Sequence, residues 1–162
     1  MRPILIAFLL LLATATVADE PPRPFIPEAA LGGQSEGQGS LRFAFGQARP
    51  YRVDNVGTTL PDGTFQLDQT IHFEGKPVEA RRWLMRRTAP GQYAFTLSEA
   101  AGPGTALAEG NRFALTYPAD HAGVSVHQVL EVSADGKAIA NDGRICFLGI
   151  PIGWLRETIR KP

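Results

Sequence analysis

The chain has 162 residues, 16 basic and 16 acidic, and is formally neutral. That balance excludes the strongly basic surface that nucleic-acid binding needs, and a single cysteine excludes an internal disulfide framework. One domain fits the length, large enough to bury roughly 70% of its unfolded surface.

The first eighteen residues read as a signal peptide. Arg2 supplies a positive start, Ile4 to Leu12 a continuous apolar run, and Thr16-Val17-Ala18 the small residues of a cleavage site before Asp19. A membrane helix needs about 20 apolar residues. The run from Ile4 to Ala18 is shorter, and Asp19-Glu20-Pro21-Pro22 stops it. Cleavage after Ala18 takes 18 of the 162 residues and one charge, Arg2, leaving 144 residues with 15 basic against 16 acidic. No cysteine lies near the cleavage point, which excludes lipidation there. The expected product is a soluble periplasmic protein. Residues 19–37 carry Pro21, Pro22, Pro24 and Pro27 and then a glycine-rich stretch, the composition of a linker. Pro27 to Leu31 could make one helical turn at a barrel mouth.

From residue 38 to 162 the pattern is a meander of short strands. Leu41, Phe43 and Phe45 alternate with polar or small residues, as do Tyr51 and Val53. Pro61-Asp62-Gly63 is a turn, since proline presets the first dihedral and glycine accepts a positive φ. Phe65, Leu67, Ile71 and Phe73 then share one face, against Gln66, Asp68, Thr70, His72 and Glu74 on the other. A strand from Val78 to Arg87 follows, then Tyr93-Phe95-Leu97, a weaker stretch with Ala106 and Ala108, Phe113-Leu115-Tyr117, and Val124 to Val132. Ala138 to Asn141 and Ile145 to Leu148 read as one strand bulged around Asp142-Gly143. Trp154 to Arg160 closes the chain. No helical period is sustained. The period of two with hairpin turns predicts an all-β, antiparallel up-and-down barrel of eight to ten strands. Phe65, Leu67, Ile71, Phe73, Phe95, Leu97, Phe113 and Leu115 are expected inside.

No motif names a reaction. His72, His121 and His127 lack the spacing of a metal set, which needs three or four converging ligands. The carboxylates, among them Asp62, Asp68, Asp142 and Glu157, are scattered and read as solvated surface. Ser125 and His127 share a strand face, but residues two apart on a strand lie roughly 6.5–7 Å apart, and no nucleophile elbow is present. Cys146, in an apolar run beside Arg144, reads as a buried small hydrophobe. The most distinctive segment is Arg81-Arg82-Trp83. If Trp83 points inward, so does Arg81, and a buried arginine must be paired or hydrogen-bonded. Arg81 could plug the barrel structurally or hold an anionic head group. The outward half of Arg81, Arg82, Arg86 and Arg87 could touch anionic lipid, or serve as a charged edge that discourages aggregation.

The order of motifs resembles a family of uncharacterised bacterial envelope proteins, many of them lipoproteins of unknown function. Phe45-Gly46, Phe73-Glu74-Gly75-Lys76, Arg82-Trp83, Tyr93, the glycine-alanine segment from Gly102 to Gly110, Asn111 through Tyr117, and Gly149-Ile150-Pro151-Ile152-Gly153 carry it over residues 38–161. The resemblance implies a lipocalin-like (calycin-type) barrel, with no established activity and no assigned catalytic residues. The chain departs from the family in lacking the lipidation cysteine.

A barrel is a container, so the expected function is binding of a small apolar or lipid-like molecule. Trp83, Phe73, Phe95 and Tyr117 are the expected wall residues and Arg81 the polar group. The alternative is a structural or partner-binding envelope protein whose barrel is filled by its own side chains. A monomer is expected, with no enzymatic activity, cofactor, metal or nucleic-acid partner, and with a membrane surface as a second partner. Interior volume separates container from filled barrel, because small-molecule sites start at about 300 Å³.

Overall fold

The computed structural model describes residues 23–162. The expected signal peptide and the first residues of the expected linker lie outside them. One short helix, α1 (Pro27–Ala30), precedes ten strands: β1 (Gly33–Phe43), β2 (Arg49–Thr59), β3 (Phe65–Phe73), β4 (Glu79–Ala89), β5 (Gln92–Leu97), β6 (Gly104–Glu109), β7 (Arg112–Pro118), β8 (Val124–Val132), β9 (Ala138–Phe147) and β10 (Ile150–Arg160). Each strand pairs antiparallel with the next, and β10 returns to β1 to close the barrel. The up-and-down barrel expected from the alternation is therefore present, with ten strands.

The turns follow local chemistry. Gly63, Gly75, Gly91, Gly136 and Gly149 all take positive φ in hairpin connections, a region other residues enter only with strain. Asp62 caps its turn by accepting the Thr64 backbone N–H at 3.0 Å.

Two expectations need correction. The first is the linker. Residues from Phe25 onward belong to the fold, because Phe25 and Leu31 are each only 2% exposed and β1 starts at Gly33, not at residue 38. The stretch looks like a linker because β1 has few side chains to show. A Cβ at Gly37 would overlap the Glu157 carboxylate, and one at Gly39 would strike the Tyr51 ring. Space, not flexibility, selects glycine there. The second concerns the bulge. β9 runs unbroken through Asp142-Gly143, where a Cβ would crowd Leu155. The register shift falls in β10, between Pro151 and Gly153.

One barrel end is a sealed floor. Phe25 stacks on Phe113 with ring centroids 5.0 Å apart, and Tyr93 meets Phe113 edge-on at 5.4 Å. The Phe25 N–H donates to the Gly110 carbonyl at 2.7 Å, tying the chain entry to the β6–β7 turn. The helical turn expected at the mouth is present, but it belongs to this end: Leu31 follows it into the same cluster. The opposite end carries the loops 44–48, 74–78, 98–103, 119–123 and 148–149. Nothing in the described chain folds over it.

Candidate functional site

Above the floor the barrel is hollow. A cavity of about 760 Å³ runs from Leu31 and Phe113 up to Phe43, Phe73 and His121 at the loop end. Phe43 and His121 are exposed, so the cavity reaches the surface there. Its wall is mostly aliphatic and aromatic: Leu67, Ile71, Met85, Leu97, Leu115, Val126 and Leu130 all contribute.

Three of the four expected wall residues, Trp83, Phe73 and Tyr117, line it, and so does Arg81, the expected polar group. Trp83 and Tyr117 meet edge to face at 5.5 Å. Phe95 is a correction. It is buried but absent from the cavity wall. Its ring occupies the space that a side chain at Gly104 on neighbouring β6 would fill. From there it supports Trp83 at 5.3 Å and Tyr117 at 6.0 Å from behind.

Arg81 does face the interior, as the inward reading of Trp83 requires. It is already engaged. Its Nη2 donates to Glu79 at 3.4 Å, and its Nε lies 2.7 Å from a Glu99 carboxylate oxygen as an ion contact without hydrogen-bond alignment. The outward arginines of β4 are engaged too. Arg82 donates to Asp68 at 2.6 Å and Arg86 pairs with Asp62. The Arg82 guanidinium holds Asp68 below the usual carboxylate range. The outward basic stripe of β4 is thus matched by acids on β3 and its turn.

Sequence reasoning missed the polar side of the cavity. Gln69 accepts the Trp83 Nε1–H at 2.6 Å and donates to Asn55 at 2.9 Å, which fixes the indole. Across the barrel, Asn141 donates to Glu157 at 3.0 Å. Both line the cavity, and both are buried, at 6% and 8% exposure. The second oxygens, Asn141 Oδ1 and Glu157 Oε1, have no protein partner. Burial pushes the Glu157 carboxyl up, against the opposing pull of the Asn141 hydrogen bond and of Arg81. Tyr51, also on the wall, is pushed up by burial and then by the Glu157 charge. Glu157, read from sequence as solvated surface, is therefore an interior group. The sequence signal for Gln69 and Asn141 is a polar residue at an inward position of an apolar register: Leu67-Gln69-Ile71 and Ile139-Asn141.

Ser125 and His127 do meet, at 3.1 Å, despite their spacing, because the imidazole spans the gap. The other ring nitrogen contacts Thr116 at 3.1 Å, not a carboxylate. Neither Ser125 nor His127 lines the cavity. Cys146 is buried and outside the interior core cluster. Among the described residues no three His, Cys, Asp or Glu side chains converge as a metal site.

No protein family's sequence profile and no curated protein matches the chain. Solved structures do. The S-type phycobiliprotein lyase CPES from Guillardia theta matches with a TM-score of 0.66 at 8% identity, over 82% of this chain and 89% of that one. A protein of unknown function from the DUF3598 family of Nostoc punctiforme matches with a TM-score of 0.63 at 13% identity. That match covers 87% of this chain but only 51% of the other. At these identities the likeness is one of fold. The fold is lipocalin-like.

Proposed function

We propose that this protein is a binding protein that holds one small apolar or lipid-like molecule inside its barrel, in the periplasm, without transforming it. The observation that carries this reading is the cavity. At about 760 Å³ it falls inside the range of roughly 300–1,000 Å³ typical of small-molecule sites, whereas a barrel closed by its own side chains would leave no such space. Its wall has the composition such sites share, mostly apolar with a few placed polar groups. Trp83, Phe73 and Tyr117 supply the contact surface, and Gln69 holds the indole in position. The proposal that the ligand is held without being transformed rests on arrangement. Among the described residues, the Ser125–His127 pair has Thr116 and not a carboxylate on its second nitrogen, and the buried Glu157 carboxyl is paired with the Asn141 amide.

The test is native mass spectrometry of the protein purified from its own host. The expected result is a co-purifying apolar molecule that Trp83→Ala loses. A clean apo mass, with no fluorescence response to any apolar titrant, sinks the container reading. N-terminal sequencing of the mature protein tests the address: Asp19 is expected first, and retention of Met1 would refute export by cleavage.

A further inference from the structure

We infer that the cavity selects an apolar molecule whose polar end is a hydrogen-bond donor, neutral or cationic, and rejects anionic lipids such as fatty acids. The inference rests on the container reading above and names the ligand class. The charged residues on the cavity wall decide it. Among the described residues Arg81 is the only arginine or lysine on the wall, against the carboxyls of Glu99, Asp120 and Glu157. That single cation is already matched by Glu79 and Glu99. An anionic head group would meet a cation already matched by two carboxylates and would face a wall whose other ionisable acids are Glu99, Asp120 and Glu157. A donor finds the reverse. Glu157 and Asn141 form a buried acceptor pair with two oxygens lacking partners, and leaving such groups unsatisfied is costly. Both side chains line the cavity and both oxygens are covered in this conformation, so a hydroxyl or ammonium relieves that cost once either side chain turns toward the lumen. The two head groups share the donor, and an ammonium adds charge pairing with Glu157.

The test uses Trp83 as the reporter in a Trp154→Phe background, since the chain has two tryptophans and Trp154 does not line the cavity. Dodecanol, dodecylamine and dodecanoate are titrated at neutral pH. The alcohol and amine are expected to bind at least about tenfold more tightly than the carboxylate. Glu157→Gln should remove the amine's advantage over the alcohol, and Glu157→Leu should weaken both by about tenfold. Asn141→Leu serves as a second probe of the same acceptor pair should Glu157→Leu fail to fold. Dodecanoate binding as tightly as dodecanol would overturn the donor-head inference and leave the container standing. An unchanged ranking in folded Glu157→Leu would do the same. No response to any of the three would sink both.

A separate observation carries a second proposal: the rim formed by the 44–48 and 148–149 loops docks on an anionic lipid surface. These loops are neighbours, because β1 lies beside β10, and the Ala44 N–H donates to the Ile152 carbonyl at 2.9 Å. They expose Phe43, Phe45, Phe147, Leu148 and Ile150, with Phe45 fully exposed and Leu148 at 73%. Soluble proteins seldom expose a contiguous apolar cluster of this kind. Along these two segments the charge has one sign, and Asp120 stands on the adjacent 119–123 loop, whose Gly123 carbonyl accepts the Leu148 N–H. No acidic residue occurs from Leu41 to Val53 or from Gly143 to Arg156. Arg42, Arg49 and Arg144 are exposed there and make no ion pair among the described residues. Arg42 and Arg144 both lie opposite Trp154 in the ladder, and Arg42 sits 5.3 Å from its ring centroid. Apolar tips with basic and aromatic neighbours suit an anionic membrane interface.

Sedimentation with phosphatidylcholine vesicles, with and without phosphatidylglycerol, tests it. Binding is expected only with the anionic lipid, and it should fall at least about tenfold in Phe45→Asp/Leu148→Asp and in Arg42→Ala/Arg49→Ala/Arg144→Ala. Absence of binding, or equal binding to neutral vesicles, would overturn the proposal. Self-association of the wild type that Phe45→Asp abolishes would assign the rim to a second copy of the chain and overturn it too.

Discussion

The two ends of the barrel use the same residue types and end differently. At the floor, Phe25, Leu31, Phe65, Tyr93 and Phe113 are buried against one another. At the mouth, Phe43, Phe45, Leu148 and Ile150 are exposed. What separates them is a cover. Among the described residues, the chain entering β1 lays Phe25 and Leu31 across the floor and lays nothing across the mouth. Apolar composition alone therefore does not locate a core; the path of the chain decides which aromatic ring contributes to stability and which remains available for contact.

The sharpest way to break this comparison is Phe113→Ala. It removes the ring that both Phe25 and Tyr93 pack on, and a buried aromatic truncated to alanine typically costs about 3–5 kcal/mol. Chemical denaturation should show a loss of that size. A loss below about 1 kcal/mol, the ordinary effect of a random substitution, would mean that the floor is not the stabilising end. Gly57→Ala comes next. Its Cβ would overlap the Leu31 carbonyl, and overpacking of this kind costs roughly 1–3 kcal/mol. Here a thermal melt at wild-type temperature would be the adverse result.

Glu157→Gln sharpens the comparison at mid-barrel through pH. Burial raises the folded carboxyl above its ordinary 4.5, so the native state holds a proton that the unfolded state has released. Glu157 therefore contributes destabilisation that begins above pH 4.5 and grows until the folded carboxyl itself ionises. The variant should gain stability over wild type as pH rises through that window, and show no advantage below it. Asp62, Asp68 and Asp135 act in the opposite direction. Their lowered pKa values give stability present at neutral pH and lost on acidification, in both proteins alike. Parallel pH–stability curves for the two would refute the assignment of Glu157 to the interior. The smallest effect is expected for Phe45→Ser, which should leave stability within about 0.5 kcal/mol, as for other exposed positions. A large loss there would mean that the mouth is packed after all.

Strand order and closure are legible in the sequence because period-two alternation and turn glycines carry them directly. Trp83 and Arg81 follow from the same alternation once one of them is placed. Glu157 does not. Counting by twos from Ile152, which lines the cavity, puts Trp154, Arg156 and Thr158 inside. The register shift at Pro151/Gly153 reverses that parity and turns Leu155, Glu157 and Ile159 inward. A bulge with proline on one side and glycine on the other leaves no period to read. Phe95 illustrates a different limit. Its inward side is legible, but its place behind Trp83 depends on the missing side chain of Gly104, one strand away.

The thinness of β1 bears on how the chain folds. Its inner face from Ser35 to Gly39 offers almost no apolar surface to hold it in place before its partners arrive. The seam that completes it joins Glu36 to Arg160 and Gly37 to Ile159, nearly the full length of the chain. Contacts at such separation form slowly, because loop-closure entropy opposes them until late. Closure of the barrel should thus be the last event of folding and should await the final strand. A chain truncated before Ile150 would leave both β1 and β9 as open edges, the arrangement most prone to aggregation. Protection of the amides that pair β1 with β10 before those of the other strand pairs, in pulsed hydrogen exchange, would contradict this order.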